Sequence, residues 1–229
     1  MKKFIGFALS LLVLQSPLTQ AEDTKPQSER AQFSYAVGFQ IGSQIAQQIM
    51  AEALDLDPAA LAQAIEDVIA GRQPALTIEE MNAAIAAVQQ RAQEETMASA
   101  QVAIEAGNTY RENYAKQDGV VQTESGLLYR ELAAGAGKKP GPNDTVVVHY
   151  RGTLIDGTEF DSSIKRGQPA TFSLNGIIPG WQEILQLMPE GARWEVVIPP
   201  SLAYGSTGAG PTIGPEATLV FEIELIEVK

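Results

Sequence analysis

Two stretches with different hydrophobic rhythms meet near Asp118. From about Ser28 to Lys116 apolar residues return every three or four positions, the period of an amphipathic helix. Phe33, Val37, Ile41, Ile45 and Ile49 draw one stripe along a first helix. Gly38, Gly42 and Ala46 run beside it, small enough to let another backbone approach. Asp57 and Pro58 read as the N-cap and first residue of a second helix. Leu61, Ile65, Val68 and Ile69 form its core face, and Gly71 ends it. Thr77 and Glu80 have capping-box spacing, with Leu76 placed to staple against Met81. Ile78, Met81, Ile85, Val88 and Ala92 then keep heptad spacing. No proline or strong turn signal interrupts before Asp118-Gly119, and a lone Gly107 is tolerable in a helix. The pattern predicts one helix of roughly 40 residues, about 60 Å long.

After Asp118 short β-rich runs alternate with glycine and proline. Strands are predicted at Leu127–Leu132, Thr145–Leu154, Thr171–Leu174, Arg193–Ile198 and Thr218–Val228, with Asp156-Gly157 as a hairpin turn. In the last run Phe221, Ile223 and Leu225 share one face, and Glu222 and Glu224 the other. One helix fits, from about Pro179 to Leu187, closed by Pro189 and Gly191. The fold class is α+β: a C-terminal antiparallel sheet wrapped around one short helix. An all-α N-terminal domain ending in a long connecting helix precedes it. No period of 20–50 residues repeats, which excludes a solenoid.

The helical half has little of its own to cover its stripes, since two short helices make a small core. The pattern therefore predicts a homodimer of two-fold symmetry through the N-terminal helices. A long solvated spacer on a monomer is the alternative.

The chain opens with Lys2 and Lys3, an apolar run from Phe4 to Leu14 too short to span a bilayer, and Thr19-Gln20-Ala21. These are the parts of a secretory signal cleaved after Ala21, leaving no stable membrane insertion. The expected division is residues 1–21 as signal, 22–117 as helical dimerisation domain with its linker helix, and 118–229 as the β-rich domain. The net charge is −12, and losing Lys2 and Lys3 leaves 14 basic against 28 acidic residues, or −14. So acidic a surface repels phosphate backbones, which argues against nucleic acid. There is no cysteine, hence no disulfide, no thiol nucleophile and no lipid-modified cysteine. A single histidine, His149, makes a histidine-built zinc site implausible; neither metal nor cofactor is expected.

The familiar catalytic signatures fail as well. No GxSxG or P-loop is present, and a Ser-His-Asp triad would have to use His149. That residue alternates to the strand face opposite Tyr150. Several motifs in the β half carry a resemblance instead. Val148-His149-Tyr150-Arg151-Gly152 and Asp156-Gly157-Thr158-Glu159-Phe160-Asp161-Ser162-Ser163 come first, then Ile177-Ile178-Pro179-Gly180-Trp181. Ile198-Pro199-Pro200, Ala203-Tyr204-Gly205 and Ala217-Thr218-Leu219-Val220-Phe221 follow in order. From about Thr123 to Lys229 the chain resembles the FKBP-type peptidyl-prolyl cis/trans isomerases. Its acidic, exported layout with a helical N-terminal half is similar to the macrophage infectivity potentiator subgroup, whose members are V-shaped dimers.

The resemblance implies a pocket for a proline ring and the carbonyl before it. Its positions are Tyr150, Phe160, Asp161, Phe172, Ile177, Ile178, Trp181, Tyr204, Ile213 and Phe221. Trp181 would be the floor, with Phe160 and Phe221 as walls. The Ile178 N–H and Tyr204 hydroxyl would hold ligand carbonyls, and Asp161 would face the twisting amide, satisfied by Tyr150 or another donor. Phe172, Ile177 and Ile213 would complete the substrate contacts. Each aromatic alone is also what a small barrel buries as core. Ala170 and Ala209 depart from the family, which often has an aromatic and a histidine there. The implied function is isomerisation of X-Pro bonds in exported proteins, in the periplasm or at the cell surface, on proline-containing polypeptides. A holdase-type periplasmic chaperone with a weak or idle isomerase pocket, or a purely structural dimer, would be the other readings.

Overall fold

The computed structural model describes residues 25–51 and 54–229; the expected signal lies outside the described residues. Contacts divide the chain into two units, Met1–Ala75 and Leu76–Lys229.

The first unit holds α1 (Glu29–Ala51) and α2 (Pro58–Ile69). Asp57 caps α2 as its sequence predicts: the carboxylate accepts from the N–H groups of Ala59 (2.8 Å) and Ala60 (3.3 Å), and Pro58 takes the first position. Neither helix has a buried residue among those described. Phe33 is 71% exposed and Ile41 52%.

The second unit opens with α3 (Ile78–Tyr114), 37 residues long. Its capping box forms in full, with Thr77 Oγ1 accepting from Glu80 N–H (3.2 Å) and Glu80 Oε2 from Thr77 N–H (2.8 Å). Seven strands follow: β1 (Val120–Gln122), β2 (Leu128–Ala133), β3 (Thr145–Leu154), β4 (Glu159–Ser162), β5 (Ala170–Ser173), β6 (Arg193–Ile198) and β7 (Leu219–Val228). They make one antiparallel sheet in the order β1-β2-β6-β7-β3-β4. β5 pairs with the first half of β3, on Thr145–Val148, and β4 with its second half, on Arg151–Thr153. The structure adds one strand, β1, to the sequence reading and shifts the starts of three others. β4 is the short strand across the Asp156-Gly157 turn. β5 begins one residue earlier than expected, and β2 and β7 one later.

α4 (Pro179–Leu187) lies where the sequence places it and buries Trp181, Ile184 and Leu185. The sheet curls over it, presenting Val146, Val148 and Tyr150 from β3, Val196 and Ile198 from β6, and Leu219, Phe221, Ile223 and Leu225 from β7. Period-two alternation explains each set. On β7 the phase changes once. Val147 pairs with Glu227 but Val148 with Leu225, so Ile226 is an extra residue. This bulge leaves Ile226 exposed and returns Val228 to the core, at 4% exposure.

Candidate active site

β3 and β4 run antiparallel, so Tyr150 and Asp161 stand on neighbouring strands with their side chains at one end of the sheet's concave face. The Tyr150 hydroxyl donates to Asp161 Oδ2. Arg166, from the loop after β4, donates to Asp161 Oδ1 and, over 2.9 Å, to the Tyr150 hydroxyl. Its guanidinium also lies 5.5 Å from the centre of the Tyr150 ring, within cation–π range. Burial acts to raise the Asp161 pKa, but the hydrogen bonds from Tyr150 and Arg166 and the Arg166 charge outweigh it. The carboxyl is held below its ordinary value of 3.8. Burial, then the bond to Asp161, pushes the Tyr150 hydroxyl up, with Arg166 opposing. The carboxylate stays ionised and the phenol keeps its proton.

Tyr150 is fixed from behind as well. Ser163, fully buried, accepts from the Tyr150 N–H with its hydroxyl (2.8 Å) and donates its own N–H to the Tyr150 carbonyl (3.0 Å). His149 Nδ1 lies 3.0 Å from the same hydroxyl. His149 is thus bound on the far side of the strand, away from the cavity.

The aromatic residues surround Trp181, in the first turn of α4. The Trp181 ring meets Tyr150 at 5.1 Å and 88°, Phe221 at 5.2 Å and 81°, and Phe172 at 5.5 Å and 84°. Phe160 meets Phe221 edge-on at 5.5 Å. Such edge-to-face pairs suit the ring quadrupoles and lock each ring against its neighbours. Gly152 of β3 makes the last pair possible. A β-carbon there would lie 2.7 Å from Phe160 and 2.8 Å from Phe221.

A flap from Ala203 to Ala217 closes the other side. Ala209 and Ile213 exchange backbone hydrogen bonds of 2.8 and 3.2 Å, pinching the tip. At the base the Glu216 N–H donates to the Gly205 carbonyl (2.8 Å), with Glu216 in the left-handed region at φ 57°. At Gly208 (φ 67°) a β-carbon would fall 2.3 Å from the Ile213 carbonyl oxygen, so the bend needs glycine.

Together these elements enclose a cavity of about 550 Å³. All ten residues singled out from the sequence line it, with Gly176, Ala209, Gly210, Pro211 and Thr212. Trp181 is 4% exposed at the bottom and Tyr204 39% exposed at the mouth. Ile178 is the N-cap of α4, so its N–H is outside the helix's own hydrogen bonding. Of the two departures, Ala209 lines the cavity, while Ala170 packs against the core from β5. Sequence reasoning missed Arg166 and Gly152. The charge at Lys165-Arg166 after the Asp161 motif was the only signal for the first. For the second it was a glycine inside an alternating strand.

Residues 136–226 match the family model described as FKBP-type peptidyl-prolyl cis-trans isomerase. Residues 30–130 match the domain amino terminal to it. The FKBP-type 22 kDa peptidyl-prolyl cis-trans isomerase of Escherichia coli is 46% identical over 198 residues, covering 86% of this chain and 95% of that one. The chain belongs to the FKBP-type peptidyl-prolyl cis-trans isomerases. The outer membrane protein MIP of Legionella longbeachae is 39% identical over 99% of this FKBP-type chain and 97% of its own. The crystal structure of FkpA from Escherichia coli superposes with a TM-score of 0.62 at 38% identity, covering 89% of this chain and 98% of that one. An FKBP-type isomerase domain behind a helical N-terminal domain is therefore the architecture of this chain.

Proposed function

We propose that this cavity takes the proline ring of an X-Pro segment and lets the preceding amide rotate there. The observation that carries the reading is the composition of the wall. It is aromatic and aliphatic apart from one carboxylate, Asp161, already held by Tyr150 and Arg166, and a few hydroxyls.

Rotation about a peptide bond faces a barrier of about 18–20 kcal/mol because twisting destroys amide resonance. X-Pro bonds exchange in tens to hundreds of seconds, slow enough to limit folding. The reaction breaks no covalent bond and needs no nucleophile. A catalyst has only to bind the twisted amide better than either planar form. An apolar cavity disfavours the charge-separated resonance form of the planar amide, and placed polar groups favour the twisted one. Trp181 supplies the floor under the ring, with Phe160, Phe221 and Phe172 as sides. The Ile178 N–H and Tyr204 hydroxyl are the donors for substrate carbonyls, and Ile177 and Ile213 close the flanks. Asp161 faces the carbonyl carbon side of the amide. A 1,000-fold acceleration requires about 4 kcal/mol of such discrimination.

The substrates are proline-containing polypeptides, and the biological role is assisting the folding of exported proteins. A homodimer through the N-terminal helices fits the exposed stripe of α1 and the match to the FKBP amino-terminal domain. A location in the cell envelope fits the leader pattern and the relative named as an outer membrane protein. Among the described residues no helix is long and apolar enough to cross a membrane. In this reading residues 22–117 form the helical dimerisation domain with its linker helix and residues 118–229 the isomerase domain. The deciding measurement is cis/trans exchange of a short X-Pro peptide with the full-length chain. An exchange rate equal to the uncatalysed one would sink the reading.

A further inference from the structure

Most of α3 is exposed, but its last two turns are fastened to the β-rich part of its unit. Gly107 and Tyr114 are its two buried residues. Tyr114 packs with Leu128 of β2 and Val197 of β6, and Val220 of β7 joins the same cluster. The Tyr114 hydroxyl donates to Glu195 Oε1 (2.8 Å), which Arg130 also pairs at 2.7 Å.

The tightest contact is with Thr218. A β-carbon on Gly107 would lie 2.5 Å from Thr218 Oγ1 and 3.3 Å from Thr218 Cβ. Arg111, one turn further along, donates to the Thr218 hydroxyl from one terminal nitrogen and to Asn108 from the other. Thr218 is 3% exposed and has no flexible end to swing aside. It also occupies a particular place in the chain. The flap that carries Ala209 and Ile213 ends at Ala217, and β7 begins at Leu219. Alternation then turns Val220 toward the helix and Phe221 toward the cavity.

We propose that Gly107, Arg111 and Thr218 are positioning residues of the active site. The end of α3 is locked onto the junction of flap and β7, and thereby sets where Ile213 and Phe221 stand around the proline ring. The claim rests on the pocket reading above. It gives a helix-interior glycine a job that its helix propensity argues against. In an undocked helix alanine is the better residue, and Gly107→Ala would raise the melting temperature. Against Thr218 the same substitution lowers it.

The test compares the full-length chain with Gly107→Ala, Thr218→Val and Thr218→Ser, by thermal melting and by exchange of an X-Pro peptide. Gly107→Ala is expected to melt about 4 °C lower. Both Gly107→Ala and Thr218→Val should lose about threefold or more in kcat/KM. Thr218→Ser keeps the hydroxyl that accepts from Arg111 and should stay within about twofold of wild type. The inference is overturned if Gly107→Ala melts at or above the wild-type temperature. It is equally overturned if Gly107→Ala and Thr218→Val both work at the wild-type kcat/KM. Should Gly107→Ala not fold, Thr218→Val against Thr218→Ser decides, because valine removes the hydroxyl that Arg111 reaches at nearly the same volume while serine keeps it. A wild-type chain without activity overturns the pocket reading and the positioning role together, a result distinct from losses confined to the variants.

Discussion

Helix α1 and strand β7 carry equally regular apolar stripes, and their surroundings could hardly differ more. In β7, Leu219, Phe221, Ile223 and Leu225 are 0–4% exposed between β3, β6 and α4. In α1, Phe33 is 71% exposed, Ile41 52% and Val37 39%, and no residue of the stripe is buried. Fully covering one such side chain is worth roughly 1.5–3 kcal/mol. A periodic pattern thus states that a face has to be covered, but not by what. The sheet meets that demand within the chain. The arm leaves it open, which is the physical ground for a second copy.

The strongest break in that comparison comes from the buried side. Trp181→Ala empties the centre of the aromatic cluster and should cost about 3–5 kcal/mol, read as a large fall in Tm with loss of exchange activity. Its counterpart is Ile41→Glu, which places a charge in the proposed seam of the arm. Light scattering should find a monomer, while peptide exchange stays within about twofold of wild type. A monomeric wild-type chain at micromolar concentration would end the dimer proposal.

Asp161 sharpens the comparison inside the second unit, between core and site. Asp161→Asn keeps the shape and removes the charge that Arg166 pairs. Exchange should fall about fivefold or more, with Tm moving by only about 2–4 °C. A large Tm loss with unchanged exchange would make this carboxylate structural. Tyr150→Phe removes its donor, so the double variant should lose less than the two single losses combined.

The smallest effect is in pH. The Asp161 carboxyl is depressed when folded, so its contribution is complete above the ordinary value of 3.8 and fades as pH falls through the lower folded value. Activity attributed to the ionised form should therefore be level from neutral pH to about pH 5. In Asp161→Asn the acid-side decline below pH 3.8 should be shallower.

What the sequence announces and what it conceals follow from the range of the interactions. Pro58 and Pro179 mark helix starts, and Thr77 with Glu80 another, because each signal acts within one turn. Thr145–Leu154 and Arg193–Ile198 are long enough for alternation to show. Val120–Gln122 is three residues long and cannot show a period of two, and the Ile226 bulge has no composition of its own. The order of the motifs from Tyr150 to Phe221 is visible in the chain, whereas their convergence on one cavity is a property of the fold. Arg166 is five residues from Asp161 but pairs with it only once β4 and its loop are in place. Gly107 reads as a tolerated weakness until Thr218, 111 positions away, is seen against it.

The bare α-carbon at Gly152 bears on how this pocket can diverge. Phe160 and Phe221 meet edge-on in the space that any side chain at position 152 would fill. Every substitution there displaces a ring before it changes anything a ligand would notice, so single steps at this position lead first through a damaged cavity. At the flap tip, Ala209 to Thr212 line the same cavity, and Gly210 has nothing within 4 Å of where a β-carbon would stand. On the proposed function, changes in which peptides the pocket prefers are therefore expected at the flap before the strand beneath it.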